Sequence, residues 1–346
     1  MRRNKMNKFK DTVTFDDVLL EPQYSDILSR SEVDTGSSLA EDLKFELPII
    51  SSPMDTITET QMAMAMGDLG CLGIIHRYNS IERQGYLIQG AESGGRIVGG
   101  AIGVSGDYFE RAKHLVDHCG ARILCVDVAH GHHIMMKKAL EKLKAEFDDY
   151  VCIVAGNVAT LEAFNDLADW GADSIRVGIG GGSICSTRIQ TGHGMPTLQS
   201  VLECSQSDRS ASLIADGGIK TPGDIVKSLA AGADFVLLGS LLAGTSETPG
   251  HAFYSEGQQY KPYRGMASVE AQVSWRGHAS SVEGVSHLVP FKGPVKNTIS
   301  ELSRGIRSGL SYSGCRSITE FQNKARFIRQ TPAGQFESST HIKTRF

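Results

Sequence analysis

The stretch Ala121–Gly180, "ARILCVDVAHGHHIMMKKALEKLKAEFDDYVCIVAGNVATLEAFNDLADWGADSIRVGIG", decides the fold. Three short apolar runs, at 122–128, 150–156 and 173–179, are rich in Ile, Val and Leu and show little polar alternation, which is how parallel strands covered on both faces read. Between them, "HHIMMKKALEKLKAEF" and "TLEAFNDLADWGA" repeat apolar residues at three and four spacing, and the second stops at a glycine. The unit is strand, helix, strand.

The same unit recurs on both sides. Candidate strands lie near 47–53, 71–76, 96–102, 211–216 and 233–239, which makes eight, and "TETQMAMAMGDLG", "DYFERAKHLVDHCG" and "TPGDIVKSLAAGA" supply further helical patterns. Eight such units predict an α/β fold, a (β/α)8 TIM barrel, as a single catalytic domain over 1–346. A doubly wound open sheet is the alternative, but no GxGxxG fingerprint follows the first strand.

Bulk properties narrow the function classes. A net charge of −4 without a long basic run leaves no footprint for nucleic acid, and Arg2-Arg3-Asn4-Lys5 reads as a solvated start. "FKDTVTFDDVLLEP" is too charged for a signal peptide, and no apolar run is long enough to span a bilayer, so a cytoplasmic protein without a membrane partner is expected. The seven cysteines are scattered and never form CxxC, which argues against a disulfide framework and a zinc site.

In a barrel of this kind the chemistry sits in loops beyond the carboxyl ends of the strands. Gly217-Gly218 after the seventh strand and Gly239-Ser240 after the eighth can turn backbone amides and a hydroxyl toward one anion, which predicts a phosphate cup; plain tight turns are the alternative. Asp216 ends an apolar strand where a ribose diol would offer two donors, or where it would cap the next helix. Together these suggest a nucleoside monophosphate. In "GIGGGSICSTR" (178–188), three glycines precede Cys185, flanked by Ser183, Ser186, Thr187 and Arg188. A thiolate there can attack an electron-poor carbon while a neighbouring hydroxyl relays a proton.

"GSICSTR", "SSPMDT", "AGNV", "ADGGI", "LLGSLLAG" and "YRGM" together closely resemble the family of IMP dehydrogenases and GMP reductases, from Phe15 to about residue 330. The resemblance implies covalent chemistry at C2 of a purine nucleotide, with Cys185 as nucleophile and Thr187 in proton transfer. It implies nucleotide contacts from Ser52, Met54, Ser183, Asp216, Gly217, Gly218, Gly239, Ser240, Tyr263, Arg264, Gly265 and Met266. Asp127, Ala129, His130 and Gly131 match the segment lining the nicotinamide cofactor's site, and Gly180 and Gly182 match potassium-binding carbonyls, with Gly181 where a proline is usual. A homotetramer is also implied.

The same resemblance separates two reactions. A flap at about 263–290, short and without an Arg-Tyr pair, together with "DVAHGH" and "VEG" (282–284), is similar to enzymes that reduce GMP to IMP and ammonia with NADPH, and it makes Glu283 the third catalytic residue. The alternative is NAD-dependent oxidation of IMP, in which Trp275-Arg276 would have to activate water. "GVSGDYFERAKHLVDHCGAR" (103–122) leaves no room for inserted CBS modules. Arg276 and Arg316 are candidates for the cofactor's 2′-phosphate. A C-terminal segment over about 295–346 completes the domain. A non-catalytic nucleotide-binding barrel is the reading from another class; a rim thiol in register with the phosphate loops argues against it.

Overall fold

The computed structural model describes residues 9–338, so Arg2-Arg3-Asn4-Lys5 and the last eight residues of the expected C-terminal segment lie outside the described residues. Eight parallel strands close into a barrel: β1 Ile49–Ser51, β2 Leu72–Ile75, β3 Val98–Ile102, β4 Ile123–Asp127, β5 Cys152–Val158, β6 Ser174–Val177, β7 Ser212–Asp216 and β8 Phe235–Leu238. Each pairs with its neighbours in sequence, and β8 pairs with β1 to close the ring. Every candidate strand contains one of these eight or overlaps most of it. The fold is the expected (β/α)8 barrel.

Two apolar layers hold it together. Ile50, Ile74, Ile123, Val154, Ile214 and Leu237 fill the interior, and the short hairpin Ser37–Ala40 and Leu43–Phe45 plugs its amino end, with Phe45 packed edge-on against Phe235 at 5.9 Å. Outside, helices such as Ile134–Phe147 and Pro222–Ala230 bury one stripe against the strands. Thr221 caps the latter helix through a box with Asp224, which settles one alternative: Asp216 is not its cap. Two equivalent aspartates, Asp173 and Asp234, accept from the backbone N–H groups of Ile153 and Leu213 and so fix the starts of β5 and β7. Burial raises the Asp234 carboxyl above its ordinary range.

Beyond β8 the chain leaves the barrel pattern. Phe253–Ser255, Gln258–Arg264 and Ser286–Pro290 form an antiparallel sheet, and the helix Val269–Arg276 lies between its last two strands, in the segment expected as a flap. Buried Lys261 ties this sheet to the barrel by donating to the carbonyls of Thr245, Ser246 and Thr248. The long helix Val295–Tyr312 then packs on Pro222–Ala230, with Gly309 leaving room for Val226. Finally Phe327–Arg329 pairs with Val18–Leu20, joining the two ends of the described chain.

Candidate active site

The carboxyl ends of the strands surround a cavity of about 340 Å³, within the range of small-molecule sites. Its floor is polar. Arg176 on β6 is buried, and it donates to Asp127 at the end of β4 (2.6 Å) and to Asp216 at the end of β7 (2.8 and 3.1 Å). Asn157 Nδ2 also donates to Asp216 (2.8 Å) and to the Gly178 carbonyl (2.8 Å). Burial opposes charge on Arg176, but the two carboxylates and the neighbouring Cys125 outweigh it and hold the guanidinium well above its ordinary value. The sequence reading found Asp127 and Asp216 and missed Arg176 and Asn157. An arginine inside a strand buried on both faces was the available signal, because such a charge must be paired.

One wall is an anion cradle. Gly217 and Gly218 both take positive φ (+89° and +76°), and a Cβ on Gly217 would stand 3.0 Å from the Gly182 nitrogen. A Cβ on Gly239 would meet the Tyr263 hydroxyl at 3.1 Å and Met54 Sδ at 3.4 Å. The glycines therefore let three loops approach backbone to backbone. Among the described residues, the N–H groups of Gly182, Gly218 and Ser240 have no acceptor in the protein, and all three residues line the cavity. These free donors suit a phosphate.

The loop that gives the cradle Gly182 also carries the thiol. Cys185 is half-buried, whereas the other six cysteines are buried, and burial pushes the Cys71, Cys152 and Cys204 thiols up to about 12. Cys185 Sγ donates to Thr187 Oγ1 at 3.1 Å, and the Thr187 hydroxyl donates to Glu283 Oε2 at 2.7 Å. These residues come from segments almost a hundred positions apart, joined by a bridge between Cys185 and Gly284, by Ser186 N–H to the Glu283 carbonyl (2.9 Å) and by Val285 N–H to the Ile184 carbonyl (3.0 Å). Thiol, hydroxyl and carboxylate form a continuous proton path.

The structure brings most of the remaining expected residues to the same cavity. Ser52, Met54, Ser183, Tyr263, Gly265, Met266 and Ala129 line it. Three do not. Arg264 turns away to pair with Asp55 (2.6 Å) and Ser274; His130 is exposed; and Gly131 is buried with its N–H on the Asn157 carbonyl (2.7 Å), where a Cβ would meet that oxygen at 3.1 Å. Nor do Arg276 and Arg316 face the cavity: the first is bound to Gln272 and Ser280, the second to Asp26 and Glu32. Besides Arg176 on the floor, Arg77 does face it. Among the described residues its guanidinium has no carboxylate partner and its Nε is buried without an acceptor, and it lies about 5.5 Å from the Tyr78 and Trp275 rings. Gly180 and Gly182 line the cavity; Arg188 packs against Gly180, and the Gly182 carbonyl accepts from Cys185 N–H (3.1 Å). No group of three or more metal-ligating side chains occurs among the described residues.

Fold and site thus define a barrel with a nucleophilic thiol, a proton path and an anion cradle at its carboxyl rim. Comparison with known proteins gives the family. The chain matches the IMP dehydrogenase / GMP reductase domain over residues 12–341. It is 31% identical to the inosine-5'-monophosphate dehydrogenase of Nitrosopumilus maritimus, over 96% of this chain and 99% of that protein, and 33% identical to the GMP reductase of Leishmania major, over 95% and 96%. The first of these alignments runs over 472 positions, more than the 346 residues here, so that relative carries sequence this chain does not. Among solved structures, that of a cysteine-to-alanine variant of GMP reductase from Trypanosoma brucei, in complex with guanosine 5'-monophosphate, superposes with a TM-score of 0.92 at 32% identity, covering 97% of this chain and 99% of that one. The chain belongs to the IMP dehydrogenase / GMP reductase family, oxidoreductases acting on purine nucleotides.

Proposed function

We propose that this protein catalyses the NADPH-dependent reductive deamination of GMP to IMP and ammonia. The observation that carries the reading is the path Cys185–Thr187–Glu283, because the reaction needs both a thiolate and an acid for a departing amine. As Cys185 sulfur bonds to C2 of the guanine, its proton passes to Thr187 oxygen and the Thr187 proton passes to Glu283. Returned along the same path, that proton leaves with the C2 amine as ammonia. NADPH, when bound, supplies the hydride that takes the amine's place at C2. Breaking of the C–S bond then restores the thiolate and releases IMP, so that GMP, NADPH and two protons give IMP, NADP⁺ and ammonium.

The chain's own groups suit both ligands. The cradle of Gly182, Gly218 and Ser240 holds the phosphate and Asp216 the ribose diol. Asn157 Oδ1 and Arg77 Nε, buried without partners, offer an acceptor and a cationic donor to the cofactor. Beside Arg77 a second cavity of about 340 Å³ opens between Gly103–Asp107 and Trp275, with room for the rest of a dinucleotide. Assembly as a homotetramer, read by sedimentation, belongs to the same proposal. Potassium does not.

One observation favours a second reading, oxidation of IMP by NAD. Arg77 and Tyr78 stand side by side on the cavity wall, an arginine and tyrosine that could activate water although they lie outside the flap. Absorbance at 340 nm separates the two. GMP with NADPH should lose absorbance and release one ammonia per turnover; XMP formation from IMP with NAD, and no reaction of GMP, would reverse the choice.

A further inference from the structure

The floor network contains more than charge balance requires. Asp127 and Asp216 close two different parts of the cavity, on strands separated by β5 and β6, and no hydrogen bond joins them to each other. Their shared partner is one planar group. Arg176 spends one terminal nitrogen on Asp127 and the other, with Nε, on Asp216, so neither carboxylate can shift without moving the guanidinium against the other. Little slack is left in the arginine: Gly156 lies beside it in register, and a Cβ there would meet Arg176 Cβ at 2.7 Å. Asn157 braces Asp216 from β5 while its own Oδ1 stays unpartnered.

We propose that Arg176 is a positioning residue that makes the two halves of the site respond to each other. Through it, a nucleotide held by Asp216 sets the position of Asp127 for the second ligand, and the second ligand does the same in return. This rests on the functional reading above. A ligand that orders a shared element lowers the cost of ordering it for the next ligand, and the coupling is necessarily reciprocal. Lysine at 176 would keep the charge but not the fork, because an ammonium cannot hold two separated carboxylates in one plane.

The test is a binding cycle with GMP and NADP⁺, a pair that cannot turn over, measured calorimetrically on the wild type and on Arg176→Lys. In the wild type, saturating NADP⁺ should tighten GMP binding by about tenfold, and saturating GMP should tighten NADP⁺ equally. In Arg176→Lys that factor should fall to within about twofold of one, while each ligand alone binds within about tenfold of wild type. The coupling factor is a ratio within one protein, so general loosening of the fold does not move it. Should Arg176→Lys fail to fold, Asp127→Asn puts the same question, with GMP alone binding within about tenfold of wild type and the coupling lost. Tenfold coupling surviving in these variants, or a wild type that binds both ligands independently, overturns the inference while leaving the functional reading intact. A wild type that binds neither GMP nor IMP refutes the functional reading, and the inference falls with it.

Discussion

Two cysteines reach the neighbourhood of one cavity by opposite routes. Cys125 sits on β4 beneath the floor, 3.4 Å from the Arg176 guanidinium, yet burial pushes its thiol up to about 11. Cys185 sits on a loop at the rim, half-exposed, with a hydroxyl and a carboxylate in line behind it. A nearby cation is therefore not enough to make a thiol reactive; solvent access and somewhere for the proton to go decide it. The same contrast runs through the site, whose floor is fixed by strand register while its reactive wall depends on two loops meeting.

The comparison is broken most completely by exchanging the two thiols' fates. Cys185→Ala should lower turnover by at least about 10⁴-fold and leave GMP affinity within a few-fold, because Gly218, Ser240 and Asp216 lie on other loops. Cys125→Ala should keep turnover within about fivefold and instead lower unfolding stability by about 1–2 kcal/mol through the space it opens. Steady-state assays with urea melts read both. Iodoacetamide labelling confined to Cys185 and blocked by GMP would agree, whereas loss of turnover in the Cys125 variant alone would invert the assignment.

Next in size is the proton path. Glu283→Gln keeps the shape and removes the acid, so ammonia release should slow by about 10²–10³-fold with little change in GMP binding. If Glu283 merely braced the loop through its hydrogen bonds, glutamine would largely replace it and the rate would stay within tenfold.

Much of this was legible in the chain because barrel strands are local. "RILCVDV" and "DFVLLG" declare themselves through apolar runs, and the loops that follow were found by position alone. What stayed hidden depends on partners distant in sequence. The helix Ile81–Glu92 contains Gly85 and Gly90, which weaken the helical pattern, yet Gly85 is required where Cys119 and His114 press within 2.8 Å of any Cβ; the Ser80 cap was the usable clue. The strands Gln258–Arg264 and Ser286–Pro290 each include a proline; the first buries a lysine, Lys261, beside Tyr263 and the second is largely exposed, so neither shows an apolar period-two pattern in sequence. Arg264 illustrates the limit for a single residue. Its place in "YRGM" marked it for the nucleotide, and only the fold shows Asp55 claiming it.

A smaller effect sharpens the view that the rim is held by contacts between loops. Trp275 stacks on Tyr78 with ring centres 4.2 Å apart and planes 10° from parallel, beside Arg77. Trp275→Ala should raise the KM for NADPH about two- to tenfold, the worth of one aromatic contact, with a lesser change in kcat. An unchanged KM would place the indole outside the cofactor's path.

The smallest effect belongs to a group outside the cavity lining. Glu92 ends a helix on the outer wall, and burial raises its carboxyl from 4.5 to about 7. The folded protein therefore binds a proton between those values that the unfolded chain has already released. Stability is highest below about pH 4.5 in this respect, declines as pH rises toward 7, and is flat above it. Glu92→Gln removes the titration, so the variant should gain about 1–2 kcal/mol over wild type at pH 8 and nothing at pH 4, the figure being reduced because the side chain is only half-buried. Urea unfolding across that range measures it. Turnover at fixed pH should not change, since no ligand-facing residue leans on Glu92, in contrast to every substitution made along the rim. A stability difference that persisted at pH 4 would mean the glutamine acts through packing rather than through the proton.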